Sequence, residues 1–134
     1  MALSNLRAWR WFLGLYFGLL ALVGFWPTPV DTPAQGALAD VLSFLHVRGI
    51  PLWFNYGFVE AAANVMLFVP VGFTAAMAFP KIRSWKIAAL SLFTSACVEL
   101  GQLLFLHDRV ASPLDIVTNT AGAVIGIFFA RARR

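Results

Sequence analysis

Four long apolar segments run through this chain, and each is long enough to cross a bilayer as a helix. A transmembrane helix needs roughly 20 mostly apolar residues, because the hydrocarbon core is about 30 Å thick and a helix rises about 1.5 Å per residue. The segments cover about residues 8–26, 59–79, 85–106 and 113–130. The sequence therefore predicts an all-α integral membrane four-helix bundle, with residues 1–134 forming a single transmembrane domain.

The composition argues against a soluble domain and against a disordered segment. Apolar residues make up 60% of the chain and charged residues 12%, whereas soluble domains hold about 45–50% and about 25%. Such a chain has too much apolar surface for a small soluble core. It also has too few charges to remain disordered in water.

Eight of the ten basic residues lie in three clusters beside the apolar segments. The clusters are Arg7 and Arg10, then Lys81, Arg83 and Lys86, then Arg131, Arg133 and Arg134. Under the positive-inside rule, they place both termini and the loop between the second and third segments in the cytoplasm. We therefore expect a multi-pass plasma-membrane protein. Because these basic residues serve as anchors, we expect no nucleic-acid partner.

The loop between the first and second segments carries a helical pattern of its own. Thr32-Pro33 is a helix-start signal, apolar residues follow at helical spacing, and Gly49 ends the pattern. We expect a short interfacial helix on the outer leaflet, and whether it also forms a lid over a site stays open. The alternative for the first segment is a cleaved signal peptide, but no A-x-A site follows it.

The few polar residues inside the other three segments fall on one face of each helix. With the predicted topology and 1.5 Å per residue, four of them lie about 6–10 Å below the outer ends of their segments: Asn64, Glu99, Gln102 and Asn119. We therefore predict a functional polar cluster in the outer third of the bilayer, completed by an arginine of the last outer turn. The cluster comprises Asn64, Glu99, Gln102, Arg109, Asp115 and Asn119.

Structural roles are open for the same residues. A carboxylate facing lipid would cost a few kcal/mol, so Glu99 should face the bundle interior or a wet crevice, where a structural ion pair also fits. Asp115 follows Ser112-Pro113 and fits a helix cap, a cluster role, or both. The amide side chains also fit interhelical hydrogen bonds, worth about 0.6 kcal/mol each.

Small residues predict where helices approach one another closely. Glycines four residues apart occur in the first and fourth segments, as Gly14–Gly18 and Gly122–Gly126. The second pair shares a face with the polar residues of its segment, so that face should point at another helix. Pro70 lies inside the second segment with Gly72 beside it, which predicts a kink there.

No pattern in the chain is typical of a metal or cofactor site. His46 and His107 lie far apart without ligand spacing, and the one cysteine, Cys97, lies inside an apolar run. We therefore expect neither a metal ion nor another cofactor.

Three runs, in order, resemble the motifs of the VanZ-like family. NVMLFVPVGF from Asn64 resembles its Asn followed by Phe-x-Pro-x-Gly, and SACVELGQ from Ser95 resembles its S-x-x-x-E-x-x-Q. The run from Arg109 to Gly126 resembles its R…D-x-x-x-N-x-x-G-x-x-x-G. The resemblance implies a small bacterial multi-pass membrane protein. The family is named for a teicoplanin-resistance protein, so a link to glycopeptide resistance or the cell envelope is implied as well.

These features favour a non-enzymatic binding or accessory protein. Its partners would be membrane lipid and an amphiphile reaching the polar cluster from the outer leaflet, such as an envelope lipid or an acylated glycopeptide. One alternative is a small proton-coupled transporter, which would require a homo-oligomer because the inner halves of the segments are apolar. Another is a membrane-embedded enzyme acting on a lipid-linked envelope substrate, although no nucleophile–base pair accompanies Glu60, Glu99 and Asp115.

The predicted orientation can be tested with a reporter enzyme that is active only outside the cytoplasm. Fused after Arg134, the reporter should be inactive, because the basic cluster there retains that end in the cytoplasm. Inserted after Thr28, in the first outer loop, it should be active. An active fusion after Arg134 would contradict the topology and the depth assigned to the polar cluster.

Overall fold

The computed structural model describes residues 3–26, 32–106 and 112–133, and these residues form five α-helices and no strand. The helices are α1 (Leu3–Gly24), α2 (Thr32–Val47), α3 (Tyr56–Ala78), α4 (Ser84–Phe105) and α5 (Pro113–Ala132). Four of them, all but α2, are long and apolar enough to cross a membrane. The prediction of an all-α chain with four long apolar helices is therefore confirmed.

Local capping explains where several helices begin and end. α3 begins three residues before the predicted segment, because the Asn55 side chain accepts a hydrogen bond of 3.1 Å from the backbone N–H of Phe58. α2 ends before Gly49, whose φ of +95° lies in the left-handed region that favours glycine. α5 begins at Pro113, where a missing N–H costs nothing.

α3 and α5 form the most closely packed pair, with their backbones in direct contact. Added Cβ atoms at Gly122 and Gly126 would overlap the carbonyl oxygens of Val65 and Val69 in α3. A Cβ at Gly72 would overlap the Ala123 carbonyl in the opposite direction. Because the contacting residue numbers rise together, the two helices run parallel, in the manner of small-x-x-x-small membrane pairs.

The first glycine pair behaves differently from the last. Nothing lies within 4 Å of a Cβ built on Gly14 or Gly18, so this pair makes no close helix contact among the described residues. α1 is instead attached to α3 by side chains. The Tyr16 hydroxyl donates a 2.9 Å hydrogen bond to the carbonyl of Leu67, and Trp9 packs edge-on against Phe73 with ring centroids 5.7 Å apart.

The helices are arranged in the order α1, α3, α5, α4, with α4 packed mainly on α5 and α1 packed on α3. The contacts that the structure gives between the α1 segment and α4 lie at one end, where Gln102 bonds Gly24 and the Phe25 ring covers Gly101. If each of the four helices packed along its length against two neighbours, they would form a closed ring. Here α1 and α4 do not pack against each other along their lengths, and the gap between them is called the seam.

The opposite end of the bundle is closed by basic side chains. Arg131 donates to the carbonyls of Pro80 at 3.0 Å and Ile82 at 2.6 Å, which joins the end of α5 to the α3–α4 loop. The guanidinium of Arg10 lies 5.2 Å from the ring centroid of Phe79 at the end of α3. The charged groups predicted to anchor this end therefore also hold helix ends together.

The two glycine pairs provide a matched test of the packing. Gly126→Ala should lower the free energy of unfolding by about 1–3 kcal/mol, because α3 and α5 must separate to admit the methyl group. Gly14→Ala should leave stability unchanged or raise it slightly, since alanine favours a helix by up to about 1 kcal/mol and has open space there. Unfolding in mixed detergent micelles measures both. Equal effects would contradict the packing described.

Candidate functional site

A cavity of about 340 Å³ lies between the helices, at the end where α1 and α4 finish and α3 and α5 begin. Its volume is at the lower end of the range of small-molecule sites, about 300–1,000 Å³. One wall comes from α1 and is apolar: Phe17, Leu20, Ala21 and Val23, with Gly24 at its end. The other long helices contribute the polar side chains, called here the polar wall, with apolar residues such as Val59, Leu67 and Val98 among them. The polar side chains are Glu60, Asn64, Glu99, Gln102, Asp115 and Asn119.

Five of the six residues predicted for the polar cluster line this cavity. The sixth, Arg109, lies outside the described residues, as does His107. Glu60, for which a solvated position near the interface also fits the sequence, lines the same cavity. Helical spacing and distance from the helix ends thus locate residues that are far apart in sequence at one level of the bundle.

Asn64 of α3 and Asp115 of α5 connect the two central helices. The Asn64 Nδ2 donates a 2.9 Å hydrogen bond to Asp115 Oδ1, in a partly buried position. Asp115 lies in the first turn of α5, where a negative side chain is favoured by the helix dipole. The side chain for which the sequence fitted a cap, a cluster role or both makes an interhelical bond.

Glu99 is buried, with 6% of its surface exposed, and it binds the start of α5 from the neighbouring helix. Its Oε2 accepts a 3.0 Å hydrogen bond from the backbone N–H of Ser112, the N-cap of α5. The side chain of Ser112 itself makes no capping hydrogen bond. A carboxylate from α4 satisfies the N-cap amide because the short α4–α5 connection brings the two helix ends together.

Asn119 connects α5 to α4 through a second buried polar residue. Its Nδ2 donates a 2.9 Å hydrogen bond to Ser95 Oγ, and Ser95 is fully buried. Its own exposed fraction is 6%, and its Oδ1 is a buried atom without a hydrogen-bond partner. An unsatisfied buried acceptor costs free energy, about 1–3 kcal/mol in typical proteins.

Gln102 joins the polar wall to α1. Its Nε2 donates a 2.8 Å hydrogen bond to the carbonyl of Gly24, the last residue of α1. Carbonyls at a helix C-terminus lack an intrahelical donor, so the bond satisfies both groups in a place where water is scarce. This contact closes one end of the seam between α1 and α4.

The sequence did not indicate the apolar wall of the cavity. Leu20 lines the cavity, whereas Leu19 and Leu22 of the same helix are 54% and 58% exposed. All three are leucines in one uniformly apolar run, so no local signal separates them. Leu38 of α2 also lines the cavity, which places α2 against the site.

Carboxyl and amide groups dominate the polar chemistry of the cavity. Among the described residues, no group of three or more His, Cys, Asp or Glu side chains is placed to hold a metal ion. The arrangement can hydrogen-bond a polar group on one side and bury an apolar chain on the other.

One comparison with known proteins gave a match. The family profile described as VanZ/LLP1 matches residues 12–134, which is nearly the whole chain. No curated protein and no solved structure matches this chain. The matched range includes all the described residues that line the cavity.

The bond between Glu99 and Ser112 can be tested by substitution. Glu99→Ala should lower the free energy of unfolding by about 1–3 kcal/mol, because the N-cap amide of α5 loses its acceptor. Glu99→Gln should cost less, since its carbonyl can still accept that hydrogen bond. Leu103→Ala is the control, since Leu103 is 57% exposed on the same helix. A loss for Ala no greater than for Gln would contradict the role of this contact.

Proposed function

The chain belongs to the VanZ/LLP1 family, and on that premise we propose that it is a membrane protein that binds a lipid-like amphiphile in the cavity between α1 and the polar wall. The observation that carries this proposal is a division within the cavity lining: α1 contributes only apolar side chains, and the polar side chains come from α3, α4 and α5. An amphiphile has the same division. We infer a binding or accessory role, not an enzymatic one.

The two walls supply the contacts that each half of an amphiphile needs. The α1 wall offers aliphatic and aromatic side chains such as Phe17 and Leu20. Because lipid tails are equally apolar, these side chains favour binding of an alkyl chain only where they pack against it more closely than lipid does. The polar wall offers Asn64, Asp115 and Asn119 to a headgroup. In a bilayer, polar contacts provide most of the selectivity, because lipid tails are as apolar as the α1 wall.

The volume limits what can bind. A cavity of about 340 Å³ holds a small headgroup with part of one chain, and it is too small for the body of a glycopeptide. If the family's link to teicoplanin resistance extends to this chain, the acyl chain of such a molecule is the part that fits. A single-chain envelope lipid fits the same description.

The seam between α1 and α4 provides a route from the bilayer. It is bridged near the end of α1 by Gln102 and by the Phe25 ring over Gly101. Along the rest of the seam, an amphiphile can enter from the side without passing through water. The topology predicted from the basic residues assigns the polar wall to the outer third of the bilayer, so we propose that the ligand arrives from the outer leaflet, with α2 covering the site.

The proposal can be tested with a defined probe, 1-monopalmitoylglycerol, added to the purified protein in detergent. Native mass spectrometry should detect one bound molecule per chain. Leu20→Trp, which fills the apolar wall, should reduce binding at least about fivefold, while Leu19→Trp should leave it unchanged because Leu19 is 54% exposed. Absence of binding to the native chain, or equal binding by both variants, would contradict the proposal.

A further inference from the structure

Asn119 is the one described residue that lines the cavity and has a buried side-chain atom with no hydrogen-bond partner. The side chain is 94% buried, since its exposed fraction is 6%. Its nitrogen is already bonded to Ser95 Oγ, which orients the amide and leaves the carbonyl oxygen, Oδ1, without a donor. The unsatisfied atom is therefore specifically an acceptor.

The neighbouring amide side chains do not supply the missing donor. Asn64 donates to Asp115, and Gln102 donates to the Gly24 carbonyl. The bond that each of them makes joins two helices. Hydrogen bonding between helices is sufficient to explain Asn64 and Gln102. It does not explain Asn119, because the carbonyl half of the Asn119 amide has no partner.

On the basis of the proposed function, we propose that Asn119 Oδ1 is the acceptor that selects the headgroup, so that the cavity prefers amphiphiles carrying a hydrogen-bond donor: a hydroxyl, an amine N–H or an amide N–H. A headgroup that offers only acceptors leaves Oδ1 unsatisfied and adds its own unsatisfied oxygen beside it. In a site shielded from water, that difference is larger than in solution.

This preference separates headgroup classes of similar size. Glycerol, sugar and ethanolamine headgroups all carry donors, whereas esters, ethers and fully methylated ammonium groups carry none. The selection is made at one atom. It can therefore be changed without altering the apolar wall that holds the chain.

Two probes with the same chain and the same acceptor oxygens, one with hydroxyl donors and one with methyl groups in their place, test the inference. 1-Monopalmitoylglycerol has two free hydroxyls, and its analogue with both hydroxyls methylated keeps the chain and the acceptors. We expect the native chain to bind the free form about tenfold more tightly, which corresponds to about 1.4 kcal/mol. Competitive titration in detergent, followed by native mass spectrometry, gives the ratio of the two dissociation constants.

Two variants identify the atom responsible. Asn119→Leu, which keeps the number and branching of the side-chain heavy atoms but removes the amide, should reduce the preference to below about twofold while retaining binding of both probes. Ser91→Ala is the matched control, because it removes another buried hydroxyl of α4, one that bonds the Ile87 carbonyl of its own helix and not Asn119. It should retain most of the preference.

The outcomes distinguish this inference from the proposed function. Binding of both probes with equal affinity by the native chain would overturn the inference and leave amphiphile binding intact, as expected if only water occupies Oδ1. Binding of neither probe would overturn the proposed function and this inference with it. If Asn119→Leu does not fold, Asn119→Ala, which also removes Oδ1, takes its place, and an undiminished preference in that variant would overturn the inference.

Discussion

The backbone contact between α3 and α5 is the constraint on which the other contacts depend. Because positions 72, 122 and 126 are glycines without side chains, the two helices approach until these glycines contact backbone carbonyl oxygens of the opposite helix. That approach brings Asn64 within 2.9 Å of Asp115. A larger residue at any of these glycines would move the polar residues of α3 and α5 apart. The closest packing in the protein and the candidate site are thus parts of one interface.

The second constraint is the scarcity of water inside a bilayer, which requires polar groups to find partners within the protein. Five polar residues of the wall meet it with a contact to another helix or helix end: Asn64 with Asp115, Glu99 with Ser112, Gln102 with Gly24, and Asn119 with Ser95. These bonds attach α4 and α1 to the central pair. Asn119 Oδ1 is the described exception, and it lies in the residue set that lines the cavity.

Much of the site could be predicted because its signals are local. Segment length identifies the four long helices, and the helical period puts Glu99 and Gln102 on one face of α4. The partners could not be predicted. Asp115 bonds Asn64, and the N-cap amide of α5 bonds Glu99, because helix rotation and crossing decide which groups meet. The glycine pair of α1 shows the same limit. Its spacing is identical to that of the pair in α5, but the α5 pair packs against α3, whereas nothing described packs against the α1 pair.

The sequence by itself therefore determined that this is a chain of four long apolar helices with family motifs on three of them, and that their few polar residues share one level. Apolar length, charge position and period are properties of each segment alone, so they can be read without the fold. Only the tertiary structure decided that α1 and α4 do not pack along their lengths, and that the space between them holds an apolar wall facing a polar one. The distinction between Leu20 and Leu19 depends on how α1 is rotated against α3, and that rotation is set by contacts between residues about 50 positions apart, such as Tyr16 and Leu67.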